Sequence, residues 1–223
     1  MGIRDLAQRP TVIPKDLLEL LGSSGVRVLL ELMRDAYSEL INIRDDFSGM
    51  SENDITEEWY VQLVVVWRVS RVPSSIVPIH EKQDKSKAAK RGRPPTIDFC
   101  FRGTWDKYAY FGAEAKLVEA DDKELCDEYV NAGVERFLSG KYNPVVSEGA
   151  MLAYIRKSQC ADVAEAVKQR VVNLPGSPIL NKEIILLPFE DYYTSNHVEN
   201  TRPFLVHHLL FNLPIIATPS STN

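Results

Sequence analysis

The chain lacks paired cysteines, a long apolar run and a phosphate-binding glycine loop. Its cysteines, Cys100, Cys126 and Cys160, form no CxxC pair, so neither a zinc ribbon nor a disulfide framework is indicated. The longest apolar stretches, 61–67 and 204–217, are too short or too interrupted to span a bilayer. Because no GxxxxGK(S/T) motif occurs, the sequence predicts no ATPase activity of its own.

The composition is that of an ordinary folded protein with a small acidic excess. Of the 223 residues, 44% are apolar and 26% are charged, which excludes a disordered or collagen-like chain. The net charge of −5 gives no bulk indication of nucleic acid or an anionic membrane as a partner. The N-terminus lacks the apolar segment of a secretory signal, and unpaired cysteines suit a reducing compartment. We therefore expect a cytoplasmic protein that does not associate with membranes.

Hydrophobic spacing predicts helices and strands in a mixed order. Apolar residues recur at three- and four-residue steps over 26–46, and Ser51 is a predicted N-cap of a helix that ends near Arg68. Beyond it, the pattern predicts strands at 75–80, 96–102 and 107–118, a helix at 121–138, a strand at 149–155, a helix at 161–172, and strands at 183–192 and 204–211. This order predicts an α/β sandwich around a central sheet.

A basic tract over 80–94 separates the first two predicted strands. It carries a local charge excess of +4 and has too few apolar residues to bury a core, so we expect a loop. Within it, Lys90, Arg91 and Arg93 match the core of an AT-hook, whose arginines enter the minor groove of DNA. A solvated loop, or one that contacts phosphates without reading sequence, accounts for the same residues.

Two segments combine carboxylates with a lysine. Asp98 lies in one predicted strand, and Glu114 and Lys116 lie in the next. Since alternate side chains of a strand share a face, Glu114 and Lys116 point the same way, and the hairpin brings Asp98 beside Glu114. The two carboxylates are hard oxygen ligands suited to Mg²⁺, for which Mn²⁺ can substitute. Lys116 would orient an attacking water and offset charge on a phosphate.

The PxxD segment followed by ExK resembles the PD-(D/E)xK nuclease superfamily, with its restriction-endonuclease-like fold, as found in bacterial restriction and phage defence. The resemblance implies an αβββαβ core with a mixed central sheet flanked by helices, and with extra helices at the N-terminus and extra strands at the C-terminus. It divides the chain into a helical extension, 1–50, and a nuclease-like domain, 51–223. It also implies an acid on the first core helix, for which Glu52 is the first choice before Glu57 and Glu58. One departure is that Pro95 stands three positions before Asp98, whereas the family name implies adjacent residues.

The function implied by the resemblance is that of a Mg²⁺-dependent endonuclease acting on nucleic acid, DNA rather than RNA, in restriction or anti-phage defence. In this interpretation Asp98 and Glu114 bind the metal, and Lys116 and Glu52 complete the catalytic set. The alternative is a non-catalytic nucleic-acid-binding or assembly subunit that retains the fold. A homodimer, or a partner subunit that supplies ATPase activity, is compatible with both.

Four residues outside this set have a simpler expected role. Arg136 is expected to pair with an acid on a helix surface. His197, His207 and His208 are expected to be hydrogen-bonded core histidines rather than metal ligands. Adjacent residues of a strand point to opposite faces, so His207 and His208 should not share one partner.

Overall fold

The computed structural model of the protein describes residues 25–83, 96–104, 110–139, 147–184, 189, 191–199 and 202–216. Its helices are α1 (Gly25–Ile43), α2 (Glu52–Val69), α3 (Lys123–Tyr129), α4 (Glu135–Leu138) and α5 (Cys160–Val171), and a π-helical segment, Val130–Val134, joins α3 to α4. Its strands are β1 (Ile76–Gln83), β2 (Thr96–Gly103), β3 (Tyr110–Leu117), β4 (Glu148–Ile155), β5 (Leu180–Lys182), β6 (Tyr192–Glu199) and β7 (Arg202–Asn212).

The seven strands form one mixed sheet in the order β1-β2-β3-β4-β7-β6-β5. The pairs β1–β2, β2–β3, β7–β6 and β6–β5 are antiparallel, whereas β3–β4 and β4–β7 are parallel. Helices cover the sheet, so the prediction of a mixed α/β protein with a central sheet is confirmed. β3 and β4 occupy the middle of the sheet, and that position buries the side chains they carry.

Two apolar cores lie on the two faces of the sheet. In β4, Ala150, Leu152 and Tyr154 join one core, while the alternating Met151 and Ala153 join the other. A strand buried on both faces has a continuous run of apolar residues in its sequence, and such a run was the basis for predicting the strand at 149–155. The first core, on the α1/α2 face, includes buried residues of α1 and α2. The second, on the α3/α5 face, includes buried residues of α3, the π-helical segment, α4 and α5.

Trp59 of α2 lies at the centre of the first core. Its ring stacks on Tyr154 with centroids 5.3 Å apart and meets Phe211 edge-on at 4.6 Å. The buried face of α1, including Met33 and Leu40, belongs to the same core. The helix at 25–43 therefore packs with the sheet itself, whereas the division of the chain at residue 50 stays a prediction.

The strand predicted at 183–192 is not seen in its described residues before Tyr192: 183, 184, 189 and 191 belong to no strand, and 185–188 and 190 lie outside the described residues. The strand in this part of the chain is β6, Tyr192–Glu199, which pairs with β7 along its length. The pattern of apolar residues did not predict β6, because this strand buries polar side chains. These are Thr194, Ser195 and His197, and each has a hydrogen-bonding partner. The basic residues Lys90, Arg91 and Arg93 lie outside the described residues.

Cys100, Cys126 and Cys160 are all buried and unpaired. Within the part of the chain that the structure describes, every helix is too short or too polar to cross a membrane.

Candidate active site

The candidate site begins where β2 and β3 stop pairing. Their antiparallel register runs from Arg102–Tyr110 to Phe99–Ala113. Beyond this point a side chain, instead of a backbone carbonyl of β2, bonds to β3. Asp98 Oδ2 accepts a hydrogen bond from the N–H of Ala115 at 2.7 Å. The carboxylate of Asp98 is therefore fixed against the segment of β3 that carries Glu114 and Lys116.

Lys116 links that segment to α2. Its Nζ donates to Glu52 Oε1 at 2.6 Å and to the carbonyl oxygen of Ala115 at 2.8 Å, and it lies 3.6 Å from Glu114 Oε1. Glu114 is completely buried, and Lys116 is 8% exposed. One ammonium group is therefore shared between two carboxylates in an environment with little water.

The start of α2 places Glu52 beside Lys116. Ser51 Oγ accepts from the N–H of Asp54 at 3.2 Å, and the Asp54 carboxylate accepts from the N–H of Ser51 at 3.1 Å. This capping box fixes the first helical turn and confirms the N-cap predicted at Ser51. Glu52 Oε2 then accepts from the N–H of Leu117 at 2.9 Å, so both of its oxygens are bound to the end of β3.

The other two acids considered for α2 lie elsewhere. Glu57 is exposed. Glu58 forms two hydrogen bonds of 2.7 Å with the guanidinium of Arg44. Of the three acids, Glu52 is the one that the structure brings to Lys116.

Arg136 of α4 is the fifth member of the cluster. Its Nη1 donates to Glu114 Oε1, so the prediction that Arg136 pairs with an acid is confirmed, although the acid is a buried strand residue. The π-helical segment before α4 packs tightly on β3 and β4. A methyl group at Gly133 would collide with Met151 Cε and lie 3.7 Å from Lys116 Cγ. Such π turns occur frequently at functional sites, and this one immediately precedes α4, which carries Arg136.

The charges of the cluster do not balance. Three carboxylates, those of Glu52, Asp98 and Glu114, face two cations, those of Lys116 and Arg136. Burial raises the pKa of Asp98 above 3.8, and the nearby Glu52 adds to this, although the Ala115 N–H and Lys116 oppose it. Burial acts to lower the pKa of Lys116, but Glu114 and Glu52 outweigh it and raise that pKa above 10.5. Lys116 is thus held as a cation, and the site has an excess of one negative charge when all groups are ionised.

The carboxylates of the cluster are candidate ligands of a divalent cation. The described residues contain no group of three or more His, Cys, Asp or Glu side chains able to hold a metal ion. Mg²⁺, however, is commonly bound by one or two carboxylates with water completing its shell. Asp98 and Glu114 supply two such carboxylates on adjacent strands, and Glu114 would have to exchange Arg136 for the ion. The residues suit Mg²⁺ because their ligands are carboxylate oxygens and because the cluster has one excess negative charge when all its groups are ionised.

A buried acid outside the predicted site, Glu119, lies just beyond β3; the acidic stretch that it opens was expected to be solvated. Glu119, 5% exposed, accepts hydrogen bonds from the backbone N–H groups of Arg156, Lys157 and Ser158. These bonds tie the end of β3 to the end of β4. The partners are 37–39 positions away in the chain, so no local pattern could have identified the contact.

The core histidines have the role expected of them. His207 Nδ1 bonds to Tyr192 on the α1/α2 face, and its Nε2 bonds to Glu148 at 2.9 Å. His208, on the opposite face, bonds to Tyr129 and Ser195. Both predictions, that these rings are hydrogen-bonded and that the two side chains point apart, are confirmed.

The fold and this cluster define the protein as a mixed α/β protein with a buried carboxylate–lysine site where two central strands diverge. No protein-family model, curated protein or solved structure matches the chain. An inference about function therefore depends on the side chains and their contacts.

Proposed function

We propose that the chain is a metal-dependent nuclease of the PD-(D/E)xK type that hydrolyses phosphodiester bonds in nucleic acid, with DNA the preferred substrate. The observation that carries the proposal is the convergence of Asp98, Glu114 and Lys116 with Glu52. These residues come from three separate elements and contact one another at one end of a buried strand pair. A surface hairpin with ordinary charged residues would leave these side chains in solvent.

The order of elements supports the same proposal. From α2 through β1, β2 and β3 to α3 and β4, the chain follows the αβββαβ order of the restriction-endonuclease-like fold. β1, β2 and β3 form an antiparallel meander, and β4 joins β3 in parallel after the intervening helices. The extra strands β5, β6 and β7 then extend the sheet beyond β4.

Each residue of the cluster has a role in this proposal. Asp98 and Glu114 would hold Mg²⁺ or Mn²⁺. When bound, the ion would lower the pKa of a coordinated water and offset charge on the phosphate. Lys116, kept protonated by Glu114 and Glu52, would orient the attacking water and stabilise charge on a phosphate oxygen. Glu52 would position the ammonium of Lys116, and Arg136 would be available to the phosphate once Glu114 takes the ion.

The test is cleavage of supercoiled plasmid, single-stranded DNA and RNA in Mg²⁺, Mn²⁺ or EDTA. Asp98→Asn and Lys116→Met keep the shape of each side chain and remove its charge. We expect both to lower the cleavage rate roughly a hundredfold or more, as loss of a group that stabilises a transition state does. Lys168→Met is the matched control, because Lys168 is an exposed lysine paired with Glu165. Metal-dependent cleavage that survives Asp98→Asn would contradict the proposal.

A second candidate function is a non-catalytic nucleic-acid-binding or assembly subunit. It is favoured by the ion pairs that the carboxylates already make, Arg136 with Glu114 and Lys116 with Glu52, since the chain itself nearly neutralises the cluster. Under this alternative the wild-type protein cuts nothing, and deletion of 82–93 abolishes DNA binding while Lys116→Met leaves it unchanged. The part played by Lys90, Arg91 and Arg93, a role in defence, a homodimer and an ATPase partner all stay predictions.

A further inference from the structure

The outer side of α2 carries a row of exposed valines. Val61, Val65 and Val69 follow one another at four-residue steps and are 53%, 49% and 85% exposed, and Val64 beside them is half-buried. β-branched residues are weaker helix formers than the Ala, Glu or Lys that exposed helix positions usually hold, so these valines add stability only when something packs on them. The row therefore indicates a contact surface.

This surface lies between two flanks of α2 that already contact the rest of the chain. On one flank Glu58 bonds to Arg44, which follows α1, and on the other Tyr60 and Trp67 donate to carbonyl oxygens of β1. The residues that face outwards between the flanks recur at alternating three- and four-residue steps, a spacing typical of a seam along which two helices pack. The residues of this α2 seam are Asp54, Glu57, Val61, Val64 and Arg68.

Opposite charges stand at the two ends of the α2 seam. Glu57 precedes the valines and Arg68 follows them, and both side chains are exposed. Among the residues that the structure describes, neither has an ion-pair partner, whereas Glu58 on the flank is paired with Arg44. The seam thus has an acid at one end, an apolar centre and a base at the other end. A helix with this pattern is complementary to itself in the antiparallel direction.

We infer that two copies of the chain associate through the α2 seam, with the two helices antiparallel about a two-fold axis. The register that sets Val61 opposite Val64 of the second copy also sets Glu57 opposite Arg68 of the second copy, because the two pairs share one midpoint in the chain. The contact is isologous, so each pair occurs twice. A parallel arrangement would instead set Glu57 beside Glu57 and Arg68 beside Arg68, which opposes association.

The α2 seam leaves the candidate active site open. Glu52 lies on the opposite side of α2 and bonds to Lys116 and to the N–H of Leu117, so the inference does not depend on the proposed nuclease function. From Glu57 to Arg68 the seam is roughly 17 Å long at about 1.5 Å per residue. One helix pair of this length covers less than the about 800 Å² that each partner contributes to a stable interface. We therefore expect a weak dimer that forms at micromolar concentrations.

The experiment is sedimentation velocity of the full chain from roughly 1 to 200 μM, the range that suits so small an interface. Over this range the wild-type protein should pass from monomer to dimer. Glu57→Arg and Arg68→Glu each set like charges opposite each other at two places, and each should raise the Kd of the dimer roughly tenfold or more. Combining both substitutions in one chain, or mixing the two single variants, sets opposite charges together again and should restore association. Val61→Gln removes apolar contact at the centre of the seam and should also weaken the dimer.

Two controls make the same changes of charge on α5. Glu165→Arg and Lys168→Glu alter exposed residues that pair with each other, and neither should change the Kd of the dimer. A wild-type protein that stays monomeric over the whole range would overturn the inference and would mean that something other than a second copy covers the valines. A dimer that survives both Glu57→Arg and Arg68→Glu would overturn it as well, because its interface would lie elsewhere. Neither result would bear on the nuclease proposal, since association is measured without nucleic acid.

Discussion

The buried histidine His197 makes the stability of the fold depend on pH in a calculable way. Burial lowers its pKa from 6.5 to about 4. A folded-state pKa below that of the unfolded chain means that the unfolded state takes up the proton first as the solution is acidified. The neutral ring therefore contributes stability that is complete above pH 6.5 and is lost as the pH falls towards 4.

The magnitude follows from these two values. Proton linkage with pKa values of 6.5 and about 4 removes about 2 kcal/mol from the free energy of unfolding between pH 7.5 and pH 5. His208 acts in the same direction, because burial, with His197 and His207 nearby, lowers its pKa well below 6.5. Stability of a single domain is only about 5–15 kcal/mol, so the loss is measurable.

The assay is urea unfolding of wild type and His197→Gln at several pH values from 7.5 to 5. Gln cannot titrate in this range, and its amide reaches the position of Nε2 that bonds Ser195. Between the two pH limits, His197→Gln should lose about 2 kcal/mol less than wild type. Parallel curves for wild type and His197→Gln would refute the reasoning.

Three further substitutions test packing and capping, each by urea unfolding at neutral pH. Ser51→Ala removes the N-cap of α2 and should cost about 1 kcal/mol, whereas an unchanged midpoint would mean that the capping box does not fix the helix start. Glu119→Gln replaces a carboxylate that accepts hydrogen bonds from three backbone N–H groups, and it should lower the free energy of unfolding by about 2 kcal/mol or more. A loss below half of that would contradict the idea that Glu119 holds the ends of β3 and β4 together. Trp59→Ala empties the centre of the α1/α2 core and should cost about 3–5 kcal/mol, and a cost near 1 would show that the core refills.

The candidate site buries side chains that also carry charge, and these two properties conflict in a folded protein. Glu114 and Lys116 are buried, and burial alone would drive both towards their neutral forms. The contacts of Lys116 with Glu114 and Glu52 outweigh burial and keep Lys116 charged. Such a cluster is costly to assemble, and removing one member leaves an unpaired buried charge. Asp98→Asn and Lys116→Met therefore keep the packing of the cluster but change its charge balance.

Local patterns in the sequence were sufficient to predict most of the helices and strands. Helical spacing predicted α1, α2 and α5, and the continuous apolar run predicted β4, because periodicity and capping involve residues within a few positions of each other. The same applies to Ser51, whose capping partner is Asp54. The alternation of a strand also made it possible to expect that Glu114 and Lys116 share a face.

The tertiary structure alone decided the order of the strands and the contacts of the site. β7 lies between β4 and β6, a parallel neighbour of a strand from which it is separated in the chain by α5, β5 and β6. Glu52 and Lys116 are 64 positions apart, and Arg136 contacts Glu114 from α4, 22 positions further along the chain. The polar strand β6 was missed because its burial depends on hydrogen bonds to His208 and Glu183 from other segments. The sequence by itself determined which segments are helical or extended, since those preferences are local, whereas long-range packing decided which charged and polar side chains meet.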